Sequence, residues 1–142
     1  AERNRWFVHV QGDDVSTGSR FWTAVAAVSL VAAIGCAPRP TEVSYSKDVA
    51  PLLKEHCAYC HTPGQAGYVV SGFDLQDYAS LMKGTSFGPV VLPGDALTSV
   101  LVMLIEGRAD PSINMPHGGA KPLTQQQITT IRRWVEQGAK NN

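Results

Sequence analysis

Cys57-Ala58-Tyr59-Cys60-His61 is the stretch that decides how this chain is interpreted. Two cysteines separated by two residues and followed by a histidine form the sequence pattern of covalent c-type haem attachment. Each thiol can form a thioether with one vinyl group of the porphyrin, and the adjacent imidazole can then bind the iron. We therefore predict one covalent haem c, attached at Cys57 and Cys60, with His61 as an axial ligand.

Two other kinds of site use the same residue types. A thioredoxin-like C-x-x-C lies in a βαβ setting, whereas Lys54-Glu55-His56, just before Cys57, is polar and helical in pattern. A structural zinc site usually takes four ligands from two pairs. The remaining cysteine, Cys36, stands alone beside a hydrophobic segment. The haem interpretation is therefore favoured over both.

The composition narrows the function further. The chain has 142 residues, with 12 Lys plus Arg against 12 Asp plus Glu. This balance predicts neither nucleic acid nor an acidic surface as a partner. We find no Ser/His/Asp set, no phosphate-binding glycine loop and no paired carboxylate site. The expectation is therefore an electron carrier, not an enzyme, with no small-molecule substrate.

The second axial ligand is chosen among three methionines. Met82 and Met103 lie in apolar stretches of helical pattern, where methionine usually fills the core. Met115 lies instead in a loop, and Pro116 restricts it to extended conformations that can present its side chain inward. We predict Met115 as the second ligand, which would raise the reduction potential. The alternative is His117, which would give two histidine ligands and a lower potential.

Periodicity and capping signals predict a mostly helical domain from Tyr45 onward, without strands. The expected loops include Thr62-Pro63-Gly64 and Gly67. The side chain of His56 is expected to pack against the core or to be exposed to solvent. Four helices are predicted: Val49 to His56 after an N-cap at Asp48, Leu75 to Lys83 after Asp74, Ala96 to Glu106 after Asp95, and a last helix from the capping box of Thr124 and Gln127 to a stop at Gly138.

The part of the chain after the linker resembles a known family. From Tyr45 to Lys140 it is similar to monohaem class I cytochromes c, and more narrowly to planctomycete-type cytochrome c domains. The resemblance implies an all-α bundle around covalent haem c, with the first and last helices crossing near the haem edge, and one-electron transfer as the activity. His117 stands where the family often has a second proline. The matching stretches are 45–53, 57–61, 91–96, 115–116 and 123–139.

The region before this domain is divided by composition. We predict a polar cytoplasmic head over 1–20, a transmembrane helix over 21–37, a linker over 38–44 and the cytochrome domain over 45–142. The uncharged run of 17 residues would span roughly 26 Å as a helix, which is short for a bilayer. The arginines ahead of this run weakly predict that the head lies in the cytoplasm.

Two alternatives to a retained anchor remain open: a signal peptide that is removed, and a lipoprotein signal ending at Ala33-Ile34-Gly35-Cys36. We expect the retained anchor, a single pass through the inner membrane with the haem domain on the periplasmic side. The expected partners are membrane lipid and redox proteins of a larger complex, such as a quinol-oxidising complex, an oxidase or a photosynthetic reaction centre. The alternative function is a haem-based gas or redox sensor, or a structural haem subunit.

Overall fold

The computed structural model describes residues 41–142. The predicted head, the membrane run and Cys36 lie outside the described residues. Within 41–142 the chain forms no strand beyond an isolated bridge between Thr85 and Gly88, as expected for a mostly helical domain. A π-helical turn, Tyr45–Val49, runs directly into α1 (Ala50–His56). It is followed by α2 (Ala66–Ser71), α3 (Tyr78–Lys83), α4 (Val100–Ile105) and α5 (Gln125–Glu136).

The first helical segment begins earlier than predicted. Ser44 occupies the N-cap position with extended backbone, and its hydroxyl accepts a hydrogen bond from the Lys47 N–H. Asp48 lies inside the segment, and its carboxylate reaches back to accept the Ser44 N–H at 2.8 Å. The predicted N-cap at Asp48 is therefore wrong, because this side chain satisfies a donor at the start of the segment rather than starting the helix itself.

The last helix agrees with its prediction. The Thr124 hydroxyl accepts from the Gln127 N–H, and the Gln127 side chain accepts from the Thr124 N–H at 2.7 Å, which completes the capping box. Gly138 follows the helix with φ of 98°, the conformation expected of a glycine after a helix C-terminus. Ile131, Trp134 and Val135 on one stripe of α5 are fully buried. This helix is the centre of the core.

An aromatic cluster fixes the start of the domain against α5. The ring of Tyr45 lies 5.0 Å from that of Tyr78 and 5.5 Å from that of Trp134, measured between centroids. The Tyr78 hydroxyl donates to the Ala139 carbonyl at 2.7 Å, and the Asn142 carbonyl accepts from the Ser46 N–H at 2.9 Å. The π-helical turn and α1 are thereby anchored to the end of the chain before the cysteines begin.

Helices α3 and α4 are shorter than predicted. The cap of α3 is Asp77, which accepts from the Ser80 N–H at 2.8 Å, whereas Asp74 accepts only from Gln76 in a turn. The predicted stop at Gly84 is correct: its φ is 82°, and a Cβ there would lie 2.4 Å from the Gly88 carbonyl oxygen.

The segment predicted to begin α4 is a turn. The Asp95 carboxylate accepts from the Thr98 N–H at 3.0 Å, which closes a turn over 95–98 instead of starting a helix. Ser99, fully buried, bonds to the backbone of both Asp95 and Leu92, and α4 starts only after it. The helix is therefore delayed because local side-chain bonds compete with helical ones.

Helix α2 was missed by the sequence prediction, which placed Gly67 in a loop. It begins after Gln65 and ends at Gly72, which has left-handed backbone. Glycine and two β-branched valines lower the helix propensity of this short segment, and contacts outside it outweigh that preference. None of the helices within 41–142 is long and apolar enough to cross a bilayer.

Candidate haem site

The C-x-x-C-H motif forms a tight turn at the end of α1. The Cys57 N–H still donates to the Leu53 carbonyl at 2.9 Å, as in a helix. The Cys57 carbonyl then accepts from the N–H groups of both Cys60 and His61, each at 3.1 Å. This turn brings the second cysteine and the histidine back towards the first, while Tyr59 between them points to solvent with 82% of its surface exposed.

All four predicted site residues line one cavity of about 530 Å³. Cys57, Cys60 and His61 contribute from the motif, and Met115 contributes from the loop after α4. The other lining residues are mainly apolar and come from α2, α4 and the segments around them. No Asp, Glu, Lys or Arg lines this cavity. Its size lies in the range of cofactor sites, and two thiols, an imidazole and a thioether in an apolar setting fit a c-type haem.

The environment of Cys57 does not favour a thiolate. Burial raises the pKa of its thiol to about 11, and the neighbouring Cys60 adds to the shift. A cysteine that serves as a redox thiolate or a metal ligand usually has a lowered pKa. Within 41–142 there is also no cluster of three or more His, Cys, Asp or Glu side chains that could hold a metal ion.

His61 is buried, with 9% of its surface exposed. Burial lowers the pKa of its imidazole and so favours the neutral form, which is the form that binds a metal. A polar contact with the backbone of Phe73 opposes this shift in part. That contact does not reach hydrogen-bond geometry, and Nδ1 of His61 is left buried without a partner. The ring of Phe73 approaches the imidazole edge-on, at 5.2 Å between centroids.

The loop of Met115 is held by few backbone bonds. The Met115 N–H donates to the Leu104 carbonyl at 3.2 Å, and the Ala120 N–H donates to the His117 carbonyl at 3.1 Å. Met115 is partly buried and packs against the core, while His117 lines the same cavity as an exposed residue. The other two methionines are half-buried and do not line the cavity. Met115 and His117, the two candidates for the second ligand, therefore both lie at this cavity.

His56 has a more specific position than the sequence suggested. Its side chain is fully buried, and it lines the cavity beside Cys57. Nδ1 lies 2.9 Å from the Lys121 carbonyl, and Nε2 lies 3.3 Å from the side-chain nitrogen of Gln127. When Nδ1 carries the proton, it donates to the Lys121 carbonyl, and Nε2 can accept from the Gln127 side-chain amide at the same time. His56 thereby links α1 to the end of the Met115 loop and to the capping box of α5.

Three contributors to the site, His56, Gly67 and Phe73, were not predicted as parts of it, and they differ in how visible they were in the sequence. His56 continues the apolar stripe of α1, so its burial could be inferred from helical spacing. The close approach of Gly67 to His61 is a contact between neighbouring turns and has no local sequence signal. Phe73 likewise reaches the imidazole only because the chain folds back after α2.

Of three comparisons with known proteins, one gives a match. A family model described as planctomycete cytochrome C matches residues 57–118, a stretch that begins at Cys57 and includes Met115. No curated protein and no solved structure matches the chain. A domain of this type points to an electron carrier with covalent haem rather than to a classical enzyme. The match supports a cytochrome c-type domain in this part of the chain.

Proposed function

We propose that this chain is a membrane-anchored monohaem c-type cytochrome that transfers single electrons within a larger membrane complex. The observation that carries the redox part is the convergence of Cys57, Cys60, His61 and Met115 on one apolar cavity. When bound, a c-type haem supplies one-electron chemistry at its iron.

The two cysteines hold the cofactor and the histidine orients it. Cys57 and Cys60 would each provide one thioether bond, so the cofactor cannot dissociate. His61 would provide one axial ligand from the same turn. Because these three residues lie within five positions, the geometry of one side of the site is set locally.

Met115 would supply the other axial ligand from a separate part of the chain. A thioether is a soft ligand that favours the reduced state, and an apolar cavity disfavours additional charge. Both effects raise the reduction potential. With two protein ligands in place, no position is left for a substrate, so outer-sphere electron transfer is the chemistry that remains.

The proposed location rests on the sequence ahead of the described domain. The uncharged run over 21–37 would form a short membrane helix, with 1–20 in the cytoplasm and the haem domain on the periplasmic side. Alanine and glycine in this run offer a small-residue face for packing against other helices. This supports a subunit of a quinol-oxidising complex, an oxidase or a reaction centre, in contact with redox proteins and membrane lipid.

The redox part is tested by purifying the full chain from cells that attach c-type haem. We expect the intact mass to exceed that of the polypeptide by one haem, and a redox titration to follow a one-electron curve. A mass without haem would overturn the proposal.

The membrane part needs a separate measurement on the same material. We expect the protein to stay in the membrane fraction after a high-salt wash and to require detergent for release. Mass spectrometry of the mature N-terminus distinguishes the anchors: residues ahead of Cys36 support the helix, whereas a lipid-modified Cys36 as the first residue would replace it with a lipid tether.

A further inference from the structure

Gly67 makes an unusually close contact with the haem-binding motif. A Cβ built on Gly67 would lie 2.8 Å from the Cys60 carbonyl oxygen, 2.8 Å from Cε1 of His61 and 3.0 Å from Nδ1 of His61. Distances below 3.0 Å are essentially never found for real Cβ atoms. The backbone of Gly67 has ordinary helical geometry within α2, so glycine is required here by the contact and not by its own dihedral angles.

The neighbours of Gly67 have little room to move away. The Cys60 carbonyl accepts from the Tyr68 N–H at 2.9 Å, which joins the motif to α2. The Gly67 carbonyl accepts from the Ser71 hydroxyl at 2.6 Å, and the His61 carbonyl accepts from the Leu75 N–H at 2.8 Å. These three hydrogen bonds hold both sides of the contact in place.

The imidazole of His61 makes no side-chain hydrogen bond that would fix its rotation, since its polar contact with the backbone of Phe73 falls short of hydrogen-bond geometry. Histidines that bind metals almost always donate their second ring N–H to a carbonyl, a carboxylate or water. Here Nδ1 is buried without a partner. The ring is confined by packing instead: Gly67 lies against its Nδ1–Cε1 edge, and the ring of Phe73 approaches it at 5.2 Å.

We propose that Gly67 is a positioning residue for His61: its missing side chain seats the imidazole so that Nε2 is directed to the cavity. This inference rests on the proposed function, since it concerns the axial ligand of the bound haem. It assigns to α2 the task that a hydrogen bond to Nδ1 performs in most metal-binding histidines.

The expected effect of Gly67→Ala on stability is opposite to the effect that helix propensity alone predicts. Replacing glycine by alanine in a helix ordinarily stabilises a protein. At Gly67 the added methyl group would press on the Cys60 carbonyl and on the His61 ring. We therefore expect Gly67→Ala to lower the denaturation midpoint of the haem-loaded protein, not to raise it.

The test compares Gly67→Ala with Val69→Ala, a matched control in the same helix whose side chain is 72% exposed. Electron paramagnetic resonance of the oxidised protein reports the orientation of the axial imidazole, and a redox titration gives the potential. We expect Gly67→Ala to keep one covalent haem but to shift both the g-values and the potential. Val69→Ala should match the wild type in both.

A second variant keeps the inference testable if Gly67→Ala does not fold. Phe73→Leu removes the aromatic ring that packs against the other side of the imidazole, and it should shift the g-values of the haem-loaded protein. If Gly67→Ala folds and leaves the g-values and the potential unchanged, this inference alone is overturned. If Gly67→Ala does not fold, unchanged values in Phe73→Leu overturn it instead. A wild-type protein without haem would overturn it together with the proposed function.

Discussion

The motif turn and the Met115 loop reach the same cavity but are built differently. The motif turn follows α1 directly, and its carbonyl groups at Cys57, Cys60 and His61 all accept backbone hydrogen bonds. The Met115 loop has fewer backbone bonds, and much of the stretch from 111 to 120 is exposed. This contrast indicates that the His61 side is fixed by local structure, whereas the Met115 side depends on a small number of distant contacts.

The largest effect is expected at the motif turn. Changing Cys57→Ser and Cys60→Ser together removes both thioether bonds, so the intact mass should fall to that of the polypeptide. Cys36→Ser is the matched control, because it removes the other cysteine of the chain, and it should keep one haem. A covalent haem in the double variant would show that attachment occurs elsewhere.

The next largest effect is expected at Met115. Met115→Ala should open one axial position, admit imidazole and lower the reduction potential by a measurable part of the roughly 0.8 V range that axial ligands span. Met103→Ala is a suitable control because this methionine does not line the cavity. If His117→Ala opens the site while Met115→Ala does not, the choice of ligand is wrong.

A moderate effect is expected at His56, which links the two regions. His56→Ala leaves the Lys121 carbonyl and the Gln127 side chain without their buried partner, a loss of about 1–3 kcal/mol in the free energy of unfolding. Loosening the Met115 loop should also increase imidazole binding.

Two comparisons sharpen the His56 prediction. His56→Asn retains a side-chain donor and should recover part of the lost stability, measured by denaturant unfolding. Lys54→Ala, an exposed change in the same helix, should leave both stability and imidazole binding near those of the wild type. Equal stability of His56→Ala and Lys54→Ala would mean that the buried link carries no free energy.

The smallest effect concerns an ion-pair network between α4, which lines the cavity, and α5. Burial alone would raise the pKa of Glu106, but bonds from Arg132 and Arg108 hold it below its ordinary value. A carboxylate with a lowered pKa in the folded state stabilises the fold above its unfolded pKa. That contribution is lost as the pH falls through the folded value.

We expect this contribution to be at most about 1 kcal/mol, because the network is partly open to solvent. Glu106→Gln should remove it near neutral pH and flatten the acid limb of a stability-versus-pH curve. An unchanged acid limb would show that other carboxylates determine it.

How well the sequence predicted each region follows from how local its interactions are. The attachment motif and the capping box of Thr124 and Gln127 depend on residues within five positions, so their spacing was informative. Asp48 and Asp95 were assigned as N-caps because aspartate favours that position. In the structure, Asp48 instead accepts from the Ser44 N–H inside a segment that begins earlier, and Asp95 accepts from the Thr98 N–H in a turn.

The missed features of the site are all contacts between separate segments. Helix α2 lies in a stretch with weak propensity, and its partner interactions run to the motif and to Ser86. The contact of Gly67 with His61 and the bond of His56 to Lys121 cross six and 65 positions respectively. Such contacts depend on the tertiary arrangement and leave no periodic pattern in the chain.

The central proposal is that His61 and Met115 both bind the haem iron, which would make the protein an electron carrier rather than a gas sensor. The direct measurement is the absorption spectrum of the reduced, haem-loaded protein before and after addition of carbon monoxide. We predict a low-spin, six-coordinate spectrum that carbon monoxide leaves unchanged in the wild type and alters in Met115→Ala. Ready binding of carbon monoxide by the wild type would contradict the account.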